Sequence, residues 1–161
     1  MEKRLRSVIP LYTTYLEALQ RMTPQEEKEL LLRVVTQLVR KQLEKGGFIP
    51  YGATLGSNRD VQLLMPKGMK RDVTRAELDA YWFQILRQAI TAGECKTACW
   101  CADVREQAED GTLVPAVLIH VEHANTFSED ILYPYRKDES SRVVFGEPRS
   151  EATEHKIFNC S

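Results

Sequence analysis

The sequence lacks the features that would place the chain in a membrane or on a nucleic acid. It has no run of about 18 apolar residues, the length that predicts a membrane-spanning helix. It has no excess of either charge, because 22 Lys and Arg stand against 23 Asp and Glu, and the basic residues are spread along the chain. Duplex binding usually needs a clustered basic face, so we expect neither a membrane nor nucleic acid as a partner.

A secretory leader is not indicated either. The basic start is followed by "SVIPLYTTYLEAL", in which Glu17 interrupts the stretch that a signal peptide keeps apolar. We therefore expect a cytoplasmic protein. Thiols stay reduced in that compartment, and the chain has only four of them: Cys95, Cys99, Cys101 and Cys160.

The common sequence signatures of catalysis are missing as well. There is no Gly-x-Ser-x-Gly elbow for a nucleophilic serine, and no cysteine stands at a predicted helix start, where its thiolate would be favoured. The stretch "GATLGSN" lacks the lysine and the following helix of a phosphate-binding loop. No repeat or linker is visible, and 161 residues suit one domain. We expect a single domain over residues 1–161, with residues 1–22 and 148–161 peripheral to it.

The first part of the sequence has the patterns of helices. Apolar residues at helical spacing predict a first helix near residues 8–19. "TPQE" then combines an N-cap Thr23, a proline at the first helical position and Glu26 three residues after the cap, which is a capping box. This box starts a second helix, and Gly46 and Gly47 end it because glycine accepts the left-handed conformation that closes a helix.

A third helix has the clearest pattern. "TRAE", at residues 74–77, is another capping box, and an apolar stripe at i, i+3 and i+4 spacing follows it as far as Gly93. The stripe includes Trp82, the largest side chain between Thr74 and Gly93. We expect Trp82, Ile85 and Leu86 to be buried against a sheet.

The rest of the chain has the short periods of β-structure. "FIPYGATL" and "VQLLMP" flank the turn-forming "GSNRD" and predict a hairpin, in which Pro50 indicates an edge strand or a strand that begins late. "CKTACWCADV" and "LVPAVLIHVEH" predict a second hairpin around Asp110–Gly111. "FSEDILYPYR" and "RVVFGE" predict further strands, and "EATEHKIF" is a final strand or a frayed tail. This order predicts an α+β fold, with an antiparallel sheet of about five to six strands covered on one face by helices.

The stretch "VLIHVEH" offers the first candidate site. Alternate residues of a strand share a face, so His120 and Glu122 lie together while His123 points away, at a strand end where it reaches water. His120 and Glu122 are the candidate catalytic residues, because a histidine paired with a carboxylate can transfer protons in a cleft. The alternative is a solvated pair on the polar face of a central or near-edge strand.

The cysteine cluster offers a metal site as a second candidate. "CKTACWC" has C-x₃-C-x-C spacing, which differs from the C-x₂-C of zinc knuckles. On a strand, Cys95, Cys99 and Cys101 share one face, and a neighbouring strand can bring His120 close to them. In the alternative, which we favour, the cysteines are small buried hydrophobic residues. We expect no bound metal and no cofactor.

A partner-binding surface is the third candidate. "YPY" places Tyr133 and Tyr135 on one strand face beside a proline, and Phe145 follows on the next strand. Rigid aromatic side chains ringed by charge supply much of the energy of protein interfaces, and Glu129 and Asp130 lie nearby in the sequence. The alternative is that Tyr133 and Phe145 belong to the core.

Three short motifs together resemble a widespread group of small uncharacterised bacterial proteins. In that group an F-x-P-x-G-A-x-L hairpin follows a long helix, and a strand ending in Glu-His precedes a Pro-Tyr strand. The matching positions here lie within residues 30–147: Phe48, Pro50, Gly52, Ala53, Leu55, Glu122, His123, Pro134 and Tyr135. The cysteine cluster and the polar stretch after Gly146 depart from the group. The resemblance implies a compact α+β scaffold and no particular activity.

Three classes of function follow from these observations. We favour a non-enzymatic protein-binding module, such as an immunity protein that neutralises a toxin or a small adaptor, because no catalytic set converges. One alternative is a small metal-dependent or acid–base enzyme that uses His120 and Glu122 with Cys99 and Cys101. The other is a small-ligand sensor with a pocket between the sheet and the helix of Trp82.

Overall fold

The computed structural model describes residues 22–56, 58–67, 73–92 and 95–158. The first predicted helix, near residues 8–19, lies outside the described residues, as do Gly93 and Cys160. Neither helix of the described part of the chain combines the length and apolarity that a bilayer crossing requires.

Helix α1 spans Pro24–Glu44 and begins as the sequence predicts. The Thr23 hydroxyl accepts a hydrogen bond from the Glu26 N–H, and the Glu26 carboxylate accepts one from the Thr23 N–H, so both halves of the capping box are formed. At the other end Gly46 and Gly47 have φ of 122° and 125°. These left-handed conformations let the chain turn out of the helix.

Helix α2 spans Arg75–Ala92 and is capped by Thr74, whose hydroxyl accepts from the Glu77 N–H at 3.2 Å. Trp82 and Leu86 are fully buried, and Ile85 is half-buried against the core. The apolar stripe of the sequence is therefore the face of α2 that packs on the sheet.

Seven strands form one sheet, with neighbouring strands antiparallel. The strands are β1 (Tyr51–Gly56), β2 (Val61–Leu64), β3 (Cys95–Gln107), β4 (Leu113–His123), β5 (Ser128–Lys137), β6 (Val143–Phe145) and β7 (Arg149–Ala152). The sheet order is β2-β1-β3-β4-β5-β6, and β7 pairs with β5 beside β6. The α+β fold class is confirmed.

Both predicted hairpins are present. Pro50 precedes β1, which begins at Tyr51 and lies between β2 and β3, so the proline delays the strand and does not mark an edge. The β3–β4 hairpin closes through the Ala108 N–H, which donates to Thr112 O at 2.8 Å, with Gly111 at φ 86°.

The two helices cover opposite faces of the sheet. The Tyr51 hydroxyl donates to Val35 O of α1 at 3.4 Å. A Cβ on the next residue, Gly52, would lie 3.0 Å from Trp82 of α2. Successive strand residues point to opposite faces, so we call the two faces of the sheet the α1 face and the α2 face. The expectation that helices cover one face only is wrong, because an amphipathic stripe shows that a helix has a core side without showing which sheet face it meets.

Candidate functional site

One row of residues crosses the sheet on its α2 face. Gly52 pairs with Trp100, Trp100 with His120, and His120 with Asp130, so four neighbouring strands each contribute one member. Helix α2 covers this row, since Trp82 contacts the Gly52 position. His120 is thereby held in the middle of the sheet beneath a helix.

His120 lies between two carboxylates. Its Nε2 is 2.6 Å from Glu122 Oε2, and its Nδ1 is 2.7 Å from Asp130 Oδ1. An ionised carboxylate can only accept hydrogen bonds, so both ring nitrogens donate and the ring is an imidazolium. The side chains of His120 and Glu122 are 2% and 0% exposed, which strengthens these charge-assisted hydrogen bonds.

The pKa values of the three groups follow from this arrangement. Burial lowers the pKa of His120, but the hydrogen bonds to Asp130 and Glu122 outweigh burial and raise it. Burial raises the pKa of Glu122, but the hydrogen bonds from His120 and from backbone N–H groups leave it lowered. The pKa of Asp130 is lowered in the same way, because the His120 bond and the Arg75 charge exceed the effect of burial. All three groups are stabilised in their charged forms.

Glu122 also binds the backbone of residues 156–158. Its Oε1 accepts from the N–H groups of Lys156, Ile157 and Phe158 at 2.9, 2.9 and 3.2 Å, and its Oε2 accepts from Ile157 at 3.0 Å. Successive N–H groups that surround one carboxylate form an anion-binding nest. This nest ties residues 153–158, which we call the 153–158 segment, to the C-terminal end of β4.

Further contacts hold the 153–158 segment in place. The Ser128 hydroxyl donates to Glu154 O at 3.0 Å, and Arg87 Nε donates to Lys156 O at 2.6 Å. Ile157 and Phe158 are buried, at 2% and 8% exposure. Within the stretch expected to be peripheral, β7 is an exposed strand, whereas the end of the 153–158 segment packs into the fold.

Arg75 extends the charged cluster towards solvent. Its Nη2 donates to Asp130 Oδ2 and its Nε to Asp79 Oδ1, both at 2.9 Å. Its guanidinium lies 5.3 Å from the centroid of the Trp100 ring, within cation–π range. We call Asp79, Arg75, Asp130, His120 and Glu122 the His120 cluster.

The geometry of the His120 cluster decides what it can do chemically. A general base needs a ring nitrogen with a free lone pair, and both nitrogens of His120 donate to carboxylates. His120 and Glu122 share a face, as the sequence predicts, but they are buried, so the interpretation as a solvated pair is wrong. The cluster joins α2, β4, β5 and the 153–158 segment, and its evident role is to hold these elements together.

His123 lies on the α1 face and takes part in a separate contact. Its Nδ1 accepts from the Asn125 N–H at 3.1 Å, and its Nε2 lies 3.2 Å from Glu27 Oε2 of α1. Burial, the largest effect, lowers the pKa of His123, which suits the neutral ring that this hydrogen-bond pattern requires. His123 is only 5% exposed, so the expectation that it reaches water is wrong.

The structure does not bring the cysteines to His120. Cys99 and Cys101 pair with Ala53 and Tyr51 and lie on the α1 face, whereas His120 pairs with Trp100 on the other face. Burial raises the pKa of Cys101 to about 12 and that of Cys99 well above its usual range. Cys95 is partly exposed, and its thiol pKa is also raised by burial. Among the described residues, no group of His, Cys, Asp and Glu is arranged to hold a metal ion.

The aromatic residues of the third candidate site do cluster, on the α1 face. The Phe145 ring lies 5.8 Å from the Tyr133 ring and 6.5 Å from the Tyr135 ring, both in edge-to-face contact. The Tyr135 hydroxyl donates to Asp103 Oδ1 at 2.9 Å. All three rings are half-buried and pack against the core, so they are neither wholly core nor freely exposed.

The two acidic residues expected beside these rings, Glu129 and Asp130, lie on opposite faces of the sheet. Glu129 forms an ion pair with Lys28 of α1, whereas Asp130 points to the α2 face and belongs to the His120 cluster. Consecutive residues of a strand must point to opposite faces. The expectation that both acids flank one surface is therefore wrong for Asp130.

The space expected for a ligand sensor is closed where α2 crosses β1. Trp82 and Leu86 lie within 3.0–3.2 Å of a Cβ built on Gly52, so α2 sits directly on the sheet there. A cavity of about 150 Å³ lies beside Ala89, and an open cleft of about 860 Å³ is lined by Leu78 of α2 and Ala102 of β3. Ligand pockets usually enclose about 300–1,000 Å³, so of these two spaces only the cleft has the volume of a ligand pocket.

Sequence reasoning did not assign Asp130, Arg75 or Asp79 to the site of His120, and it missed the backbone nest. Asp130 was within reach, because the turn after His123 fixes the register that sets residue 130 opposite His120. The nest formed by residues 156–158 was not, because it uses backbone N–H groups that every residue except proline carries.

Comparison of the chain with protein-family models, with curated proteins and with solved structures finds no significant match in any of the three.

Proposed function

We propose that the chain is a non-enzymatic protein-binding module that recognises its partner through a groove beside α1. Two adjoining cavities of about 490 and 550 Å³ lie between this helix and the strands β5 and β6, and Phe145 lines both. We call them together the α1 groove. The observation that carries the proposal is the position of Phe145, which is half-buried and lines both cavities.

The walls of the α1 groove have the composition of a recognition surface. Leu32, Tyr133 and Pro148 supply apolar surface, and Arg40 lies 5.2 Å from the centroid of the Phe145 ring. Aromatic and arginine side chains dominate the energetics of protein interfaces. The rings of Tyr133 and Phe145 already contact each other, so they lose little conformational freedom when a partner binds.

The charges at the rim favour a protein partner over a nucleic acid. Each cavity of the α1 groove is lined by charges of both signs, Glu29 and Arg33 in one and Glu44 and Arg142 in the other. A nucleic acid would require a basic surface, whereas a rim of mixed sign can be matched by complementary charges on another protein. An immunity protein, with a toxin as its partner, and an adaptor are the two forms that this function takes.

Phe145→Ala tests the proposal. The tagged chain is used to capture proteins from the cells that produce it, in parallel with Phe145→Ala and with Met65→Ala, an exposed side chain next to β2 at the opposite edge of the sheet. We expect one protein to be captured by the wild type and by Met65→Ala but lost with Phe145→Ala. Capture that is equal for all three baits, from variants with unchanged unfolding midpoints, would contradict the α1 groove as the binding surface. The identity of the captured protein separates an immunity protein from an adaptor.

A further inference from the structure

The two edges of the sheet differ in how they are protected. The edge opposite β2 is shared by β6 and β7, and β7 carries Arg149 and Glu151, charged residues of the kind that prevent edge strands from pairing with other chains. Strand β2 has the sequence VQLL, without charge or proline, and no strand in the described part of the chain pairs with its outer side. Its outer backbone groups can therefore accept another strand.

Exposed apolar side chains gather at the β2 edge. Among the described residues four large apolar side chains are exposed, and Ile49, Leu63 and Met65 are three of them, at 60%, 45% and 55%. Ile49 and Met65 line the same cleft, of about 860 Å³. A concentration of this kind usually marks a contact surface rather than scattered surface apolarity.

Two apolar side chains of β2 and one beyond it form a stripe on one face. Val61 pairs with Leu55 and Leu63 with Ala53, which places both on the α1 face. Met65 continues the alternation one step past the end of the strand. The stripe is short, free of charge and evenly spaced.

We propose that β2 pairs antiparallel with β2 of a second copy of the chain, so that two sheets join into one. With the pairing centred on Leu63, Leu63 of one copy lies opposite Leu63 of the other, and each Val61 lies opposite Met65. Cross-strand partners share a face, so all of these contacts are apolar and lie on the α1 face. The nearest charge, Asp60, falls opposite Pro66, and the like-charged residues Arg59 and Lys67 come opposite each other only beyond the ends of β2, so no like charges meet within the strand. The stripe is complementary to itself, as a two-fold interface requires.

Sedimentation velocity over a concentration series tests this pairing. We expect the apparent mass to rise from 18.5 kDa towards twice that value as the concentration rises. Leu63→Lys sets two ammonium groups against each other and should raise the dissociation constant at least about tenfold. Leu113→Lys, the same change at the exposed leucine elsewhere, should leave it unchanged. A monomer at every concentration, or a dimer that Leu63→Lys does not weaken, would overturn the proposal.

Cross-linking tests the register independently of affinity. Directly opposed residues of antiparallel strands have Cα atoms about 4.5–5.5 Å apart, which suits a disulfide. We expect Leu63→Cys to give a covalent dimer under mild oxidation by a copper–phenanthroline complex, beyond any formed by the parent chain with its own cysteines. Gln62→Cys, which lies opposite Leu64 in this register, should cross-link much less. Equal cross-linking of the two variants would contradict the pairing centred on Leu63.

Discussion

At the scale of single residues, the Glu122 carboxylate binds both a side chain and the backbone of a distant segment. Its two carboxylate oxygens accept hydrogen bonds from the His120 ring and from three successive backbone N–H groups. The side chain is wholly buried, so each of these bonds replaces a hydrogen bond to water that the carboxylate cannot make. One side chain thereby links the strand β4 to the 153–158 segment.

Removing the charge of Glu122 should destabilise the fold severely. Glu122→Gln keeps the size of the side chain but leaves the His120 imidazolium with one ionic partner and places an NH₂ group among N–H donors. Loss of one partner of a buried ion pair costs about 3–5 kcal/mol, and we expect a loss of this order in the free energy of unfolding, measured with urea.

Glu129→Gln is the matched control for this change. Glu129 lies on the neighbouring strand β5 and pairs with Lys28, but its side chain is 23% exposed. Ion pairs near the surface contribute about 0–1 kcal/mol, so the control should lose far less stability. Equal losses in the two variants would contradict the role assigned to the buried carboxylate.

The charged state of His120 predicts a dependence of stability on pH. The pKa of His120 is raised by folding, so its contribution is fully present below the unfolded value of about 6.5 and is lost as the pH rises through the folded pKa. The pKa values of Glu122 and Asp130 are lowered, so their contribution is present above about 4 and is lost as the pH falls through the folded values. His123, with a lowered pKa, acts in the opposite sense to His120.

His120→Asn isolates this effect, because His123 is present in both chains and its contribution cancels. We expect the difference in free energy of unfolding between wild type and His120→Asn to be largest between about pH 5 and 6.5 and to shrink at higher pH. The measurement is urea denaturation at a series of pH values. A difference that does not shrink as the pH is raised above about 6.5 would mean that His120 does not carry a proton in excess of the unfolded state.

At the scale of elements, the approach of α2 to β1 depends on the absence of a side chain at Gly52. A Cβ there would lie 3.0 and 3.1 Å from two ring carbons of Trp82 and 3.2 Å from Leu86 Cδ2. The distances are short enough that the helix or its side chains must shift. Gly52 thus sets the spacing between the sheet and the helix that covers the His120 cluster.

Gly52→Ala should therefore destabilise the chain by overpacking, at a cost of about 1–3 kcal/mol. Trp82→Phe removes the part of the indole that the new methyl group would meet, so the double variant should lose less stability than the sum of the two single variants. Additive losses, measured by thermal or chemical denaturation, would show that the contact does not limit the packing. Trp82→Ala, which leaves a large cavity, should cost roughly 3–5 kcal/mol on its own.

At the scale of the whole molecule, the sheet is a central layer, and its two faces carry different groups of residues. Its α2 face holds the buried His120 cluster, and its α1 face carries the rings of Tyr133 and Phe145 into the α1 groove. The charged cluster fixes β4, β5 and the 153–158 segment, and β5 in turn positions the strand that carries Phe145. The scaffold on one face thus supports the proposed recognition surface on the other.

Local chemistry could be predicted from the sequence, whereas relations between distant segments could not. Thr23 and Glu26 predicted the start of α1, because capping depends on residues three apart, and Gly111 predicted the turn between β3 and β4. The face that each helix covers was predicted wrongly, since amphipathicity carries no information about which side of a sheet a helix meets. The sequence of the 153–158 segment gives no sign that it is anchored, because the donors that bind Glu122 are backbone N–H groups.

The most direct test of the proposed function is the hydrogen-exchange footprint of the chain in complex with the protein it captures. We predict added protection of amides in α1 from Arg33 to Glu44 and in β6, with little change at β2 or in the 153–158 segment, because binding at the α1 groove shields the backbone that lines it. Protection confined to β2 or to the 153–158 segment, with the amides of α1 and β6 unchanged, would contradict the account.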